Sequence, residues 1–154
     1  MASVHATPND TYSLAYAAHN PNFLQINQAS VTNVSTTQML GIGNVSSLVL
    51  TPVMSTVVEF KIGCVAGFAA ADTAQLVPSY GTGAAPINGA ATAGTQVGSG
   101  ALTRSAAAGD EHYVWQEVII TGLTIGTAYW FDLEAVFAAG TLTVSNVVAI
   151  VREV

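Results

Sequence analysis

Charge is what this sequence has least of. Asp, Glu, Lys and Arg make up 8% of its 154 residues, against roughly 25% in an ordinary soluble domain. The bases are Lys61, Arg104 and Arg152 alone, and nine acids bring the net charge to −6. Binding nucleic-acid phosphates takes several clustered Lys or Arg that displace counterions, so no nucleic-acid partner is expected. No apolar run approaches the ~18 residues of a membrane span, and no membrane association is expected either. The opening MASVHATPND has neither the basic start nor the apolar core of a secretion signal, which predicts synthesis in a cytoplasm. Cys64 is the one cysteine. No internal disulfide is open to the chain, and packing must hold the fold.

What stands in place of charge is apolar surface, with 51% of residues hydrophobic. A dispersed monomer is better served by a surface that is roughly 25–35% charged. The composition therefore predicts a surface covered largely by copies of the chain or by a larger partner. A coat of Thr, Ser and Asn is the alternative. The length suits one domain with a substantial core.

The longest β-like stretch is Tyr113–Val151, three alternating segments split by two turn signals, and it reads as a meander of three long strands. In the first, Val114, Val118 and Ile120 share one face, and Tyr113, Trp115 and Ile119 the other. In the second, Tyr129, Phe131, Leu133 and Phe137 oppose Trp130, Asp132, Glu134 and Val136. In the third, Leu142, Val144, Val148 and Ile150 alternate with Thr141, Thr143, Ser145 and Ala149. Upstream, Thr56–Gly67 is a strong strand with Val58, Phe60, Ile62 and Cys64 facing inward, where a free Cys acts as a small hydrophobe. Weaker strands are expected over 29–39, 46–51, 75–80, near 96–97 and over 102–105. Pro78 favours an edge position for its strand. The glycine-rich segment 81–100 reads as loop.

Residues 1–27 differ from the rest, with two prolines, no sustained alternation and spaced aromatics. They read as an extended N-terminal arm that docks on its own body or a neighbour through Tyr12, Tyr16 and Phe23, before a single β-sandwich domain over 28–154. Seven or eight short strands with turns every 8–12 residues predict an all-β antiparallel sandwich.

Few residues suggest chemistry. Asp132 and Glu134 share a strand face, as the paired carboxylates of a glycosidase would, but the alternation alone predicts a polar stripe there. With Glu117 from the neighbouring strand they offer oxygen ligands to a hard cation, without a calcium-loop spacing around them. His5, His19 and His112 are dispersed, and Asp110-Glu111-His112 reads as a solvated turn. Gly81-Thr82-Gly83 and Gly98-Ser99-Gly100 open no helix after a strand, so no phosphate cradle is indicated. Tyr113, Trp115, Tyr129 and Trp130 offer either a sugar-stacking face or a core and subunit interface. No enzyme activity, cofactor or metal is expected.

Two motifs carry a family resemblance. Tyr80-Gly81-Thr82-Gly83-Ala84-Ala85-Pro86-Ile87-Asn88-Gly89 is the first. The second is Thr121-Gly122-Leu123-Thr124-Ile125-Gly126-Thr127-Ala128-Tyr129-Trp130-Phe131-Asp132-Leu133, followed by Ser145-Asn146-Val147. In this order they resemble the small β-sandwich head-decoration (cement) proteins of tailed bacteriophages and related virion fibre-head domains, over roughly Ser46 to the C-terminus. The resemblance implies a jelly-roll-like homotrimer made in the host bacterial cytoplasm. It would stand on the outer capsid surface and bridge major capsid proteins. The trimer interface is expected to include Trp115, Trp130 and Val136. A fibre or spike head that recognises a host glycan through Trp115 and Trp130 is the alternative. The second motif also resembles the tyrosine corner of fibronectin type III domains. Leu123, Thr127 and Tyr129 fit it, and Ile125 stands where proline is usual. Jelly roll and immunoglobulin-like topology both remain open to the sequence.

Overall fold

A computed structural model describes residues 23–34, 37–42, 48–137 and 141–154. These form ten strands: β1 (Phe23–Val34), β2 (Gln38–Met39), β3 (Val49–Leu50), β4 (Val58–Phe68) and β5 (Asp72–Thr82) come first. They are followed by β6 (Thr95–Gln96), β7 (Ala101–Ser105), β8 (Glu111–Ile120), β9 (Tyr129–Phe137) and β10 (Leu142–Glu153). One sheet has the order β1-β10-β4-β8; in the other β2 and β3 line β9, which pairs β5, which in turn carries β6 and β7. All pairings are antiparallel. The chain changes sheet at six of its nine connections, and that winding makes the antiparallel sandwich jelly-roll-like.

This winding corrects the expected meander. β8 and β10 flank β4 in the first sheet, while β9 lies in the second. Alternation along a strand reports which side chains point inward. It carries no information about which sheet the strand joins. The inward rows themselves are as expected: Val58, Phe60, Ile62 and Cys64 are buried, and so are Tyr129, Phe131 and Leu133. Phe60 and Phe131 meet across the core with ring centroids 5.6 Å apart.

Three further differences have physical reasons. β1 begins at Phe23 and runs beside β10, with Phe23 paired to Arg152. The boundary expected after residue 27 therefore falls inside a strand, and residues 1–22, with Tyr12 and Tyr16, lie outside the described residues. Pro78 is not at a sheet edge. β5 pairs β9 on one side, and on the other β7 covers 72–76 and β6 covers 79–80. The Pro78 carbonyl accepts the Val97 N–H at 2.8 Å. A strand residue points its nitrogen and carbonyl to the same neighbour, so the nitrogen that lacks a proton faces the break between β6 and β7.

The third difference is in β10. Its register against β4 shifts between Ser145 and Val148, and Asn146 takes a left-handed φ of 51°. A bulge slips the inward row by one residue. Leu142 and Val144 point inward before it, and Val147, Ala149 and Val151 after it. Val148 and Ile150, expected inside, turn outward and are half-buried.

Candidate functional site

The second sheet is buried on both faces. Besides its core side, the outward residues Met39, Val77, Ser79, Trp130, Asp132 and Glu134 are all under 5% exposed. The cover is the glycine- and alanine-rich segment expected as loop. Its Ala90 carbonyl accepts the Met39 N–H at 2.9 Å, and its Gly89 N–H bonds the Met39 carbonyl at 3.1 Å. Gln38 Nε2 donates to Asn88 Oδ1 at 3.1 Å, and Gln96 Nε2 donates to Glu134 Oε2 at 2.7 Å. The backbone of Gly81 and Gly94 lies against the Trp130 ring, whose Nε1 donates to the Thr82 carbonyl at 3.2 Å.

Asp132 and Glu134 are thus not the solvated stripe the alternation suggests. Asp132 is fully buried, and its carboxylate accepts three backbone N–H groups: Ile42 at 2.9 Å and Leu133 at 2.8 Å on Oδ1, Gly41 at 3.0 Å on Oδ2. Burial pushes its pKa up to about 7, and those three donors pull it down in part. Its oxygens are committed to fastening the 40–42 segment onto β9. Gly41 sits there with φ +73° and its Cα against the backbone of Ile87 and Asn88, a close approach only glycine allows. Glu117 lies in the other sheet and pairs with Lys61, so the three carboxylates do not converge. Among the described residues no group of three or more His, Cys, Asp or Glu is placed to hold a metal ion.

The other candidates resolve into structural roles. Cys64 is buried, and burial drives its thiol pKa up to about 12, far from a reactive thiolate. Asp110 accepts the N–H groups of Ala106 and Ala107, each at 3.0 Å, which ties the turn before β8. His112 packs edge-on against Phe68, with ring centroids 5.9 Å apart. Tyr129 makes the corner: its hydroxyl accepts the Thr124 N–H at 3.0 Å, five residues back. Beside it, Tyr80, Thr82, Pro86, Ala93, Tyr129 and Trp130 line a cleft of about 590 Å³.

The two tryptophans are not neighbours. Trp115 points outward from β8 in the first sheet, and Trp130 is only 3% exposed under the cover of the second. With the core between them they form no common stacking face. Val136, on the same side of β9, is half-buried.

Among the described side chains, what remains open is the outer face of β8, β4 and β10 in the first sheet. Along β8, Tyr113 is 69%, Trp115 47% and Ile119 50% exposed. In register beside them on β4 stand Val65, Gly63 and Glu59, with Lys61 opposite Glu117. On β10 stand Val148, Ile150 and Arg152, opposite Gly63, Lys61 and Glu59. A Cβ on Gly63 would come within 2.6 Å of both Trp115 Cε3 and Tyr113 Oη. The bare glycine lets both rings lie down across β4. Next to this plate is an ionic quartet. Lys61 Nζ is 3.2 Å from Glu59 Oε1 and 3.2 Å from Glu117 Oε2, and Arg152 Nε donates to Glu59 Oε2 at 2.5 Å. Burial works to raise the Glu59 pKa, but the bonds from Arg152 and Lys61 outweigh it and hold the carboxyl below its ordinary value. The bonds to Glu117 and Glu59 raise that of Lys61.

The sequence already placed Tyr113, Trp115 and Ile119 on one face. It missed Val148 and Ile150, because the bulge that turns them outward has no signal beyond an Asn in a run of apolar residues.

No protein-family model and no curated protein matches the chain. Solved structures match it in fold. A chain of the T13 particle of infectious bursal disease virus superposes with a TM-score of 0.51 at 10% identity, over 85% of this chain and 31% of that one. The Gx strain of the same virus gives 0.46 at 13% identity, over 84% and 32%. The Eiger TNF of S. frugiperda gives 0.46 at 11%, over 86% and 94%. This chain spans about a third of the viral chains it matches. At such identities the likeness is one of fold.

Proposed function

We propose that the chain is a structural protein of a virus particle. It is a decoration protein that sits as a homotrimer on the outer surface of an icosahedral phage head and strengthens the shell by bridging capsid subunits. The observation that carries this reading is the open, apolar outer face of the first sheet in a chain with 8% charged residues. Such a face in so weakly charged a molecule is made to be covered. Two further observations support it: the phage-like motifs around Gly81 and Tyr129, and a jelly-roll fold shared with a chain of an icosahedral particle. Its action needs no chemistry. A partner that binds the assembled lattice and not its separated subunits stabilises the lattice by mass action.

Quantitative protein analysis of purified virions tests the reading. A fixed copy number per head, with heads lacking the protein rupturing at lower temperature, is the expected result. Absence from washed virions would overturn it. Because β1 starts at Phe23, the arm is tested by removing residues 1–22 alone. Weaker binding to heads is expected, with the melting temperature of the sandwich unchanged.

A further inference from the structure

The molecule has one closed sheet and one open sheet, and the open one is too specifically arranged to be a plain solvent face. Its apolar part is flat. Gly63 clears the space in which Trp115 and Tyr113 lie across β4, and Val65, Val148 and Ile150 extend the same surface. β10 itself runs Val147-Val148-Ala149-Ile150-Val151, an unbroken apolar sequence of the kind found where a strand is covered on both sides. Within one chain its outward members are only half-buried. Among the described residues nothing covers the second side of that strand.

Its charged part is balanced. Lys61 and Arg152 are two of the three bases in the chain, and both stand here against Glu59 and Glu117. The quartet is neutral, so the net charge of −6 is carried by groups outside it. Glu111 lies at the far end of β8, away from this centre. Two copies of an acidic chain repel one another over most orientations. Turned toward a three-fold axis, this face brings a neutral quartet and an apolar plate from each copy beside those of its neighbours, with acids and bases that alternate and can cross-pair. A strongly charged partner would find no complementary field here. The size is also suitable. Four strands spaced ~4.8 Å and about ten residues long at ~3.3 Å per residue give a face on the order of 600 Å². A stable interface buries about 800 Å² per partner.

We propose that the outer face of the four-stranded sheet, centred on Trp115, is the surface through which copies of this chain pack against one another. The inference deepens the self-association in the reading above and does not depend on which lattice the assembly decorates. Trp115 and Tyr113 are its central anchors, and the quartet sets the orientation of the copies.

Sedimentation of the full chain at micromolar concentration tests it, with Trp115→Glu, the milder Tyr113→Lys, and Ile87→Glu as a control. Ile87 is 62% exposed on the cover of the other sheet. The wild type and Ile87→Glu should sediment as the same oligomer. Trp115→Glu and Tyr113→Lys should dissociate, with self-association weaker on the order of 30-fold or more, as for a central aromatic anchor. Unchanged far-ultraviolet dichroism with a cooperative thermal melt in Tyr113→Lys separates loss of association from loss of fold. An oligomer that persists in both face variants overturns this inference and leaves the virion reading standing. A monomeric wild type overturns the inference together with the homotrimer, without touching occupancy in virions. If Trp115→Glu then abolishes binding to heads, the face belongs to the capsid instead.

Discussion

Asp132 holds one segment of chain onto another through a fully buried carboxylate with three backbone donors. Replacing it by Ala leaves three buried N–H groups without an acceptor. A loss of about 3–5 kcal/mol is expected from chemical denaturation. Asn keeps one acceptor for Ile42 and Leu133 but turns an amide toward the Gly41 N–H, at a cost of about 1–3 kcal/mol. The pH dependence has a definite sign. The folded-state pKa of Asp132 is raised to about 7 from an ordinary 3.8. Between those values the native state holds a proton that the unfolded chain has released. Its contribution to stability is therefore present below about pH 4 and lost as the pH rises toward 7, on the order of 4 kcal/mol at most. Glu59 acts oppositely. Its pKa is lowered, so its contribution is present above the ordinary carboxylate value and lost as the pH falls through and below it. Thermal melts from pH 4 to 7 should show falling stability in the wild type and a flatter profile in Asp132→Asn. A wild-type profile that rises steadily over this range would refute the assignment.

Two elements depend on single local devices. The turn into β9 is closed by the Tyr129 hydroxyl on the Thr124 N–H. Tyr129→Phe removes that bond while keeping the ring, so a loss of about 1 kcal/mol in denaturant titration is expected. The bulge in β10 rests on Asn146 at φ 51°. Asn146→Gly should be close to neutral, whereas Asn146→Val should cost about 1–2 kcal/mol, because a branched side chain resists the left-handed region. At this scale the sequence was a good guide to strands and a poor one to their partners. The inward rows of β4, β8 and β9 follow from their period of two. The corner was visible in the Leu123–Tyr129 run. The outward burial of Asp132, Glu134 and Trp130 was not, because it comes from the 87–96 segment. That segment's glycines and alanines carry no period, and its contacts are nearly all to residues far away in sequence.

At the scale of the whole molecule, the low charge now has two parts. One is internal: the second sheet wears a cover made from its own chain, so β9 can be apolar or buried-polar on both sides. The other is external: among the described residues the first sheet has no such cover, and its Trp115 plate is the part of the candidate site that the alternation of β8 made legible. Its other half, Val148 and Ile150, became visible only with the bulge. The position of β10 has a consequence for how the molecule is made. It follows the other nine described strands in sequence, yet it lies between β1 and β4. Until β10 has been made, β1 has no partner in its sheet and β4 keeps an open edge, both of them unpaired backbone ladders able to pair with a neighbouring nascent chain. Folding of that sheet must wait until β10 has been made. A chain stopped after Thr141 should accumulate in the insoluble fraction on expression, while the full chain remains soluble. Chains that break off before β10 would then be removed by aggregation and proteolysis before assembly, so that β10 acts as a built-in check that the sandwich is closed.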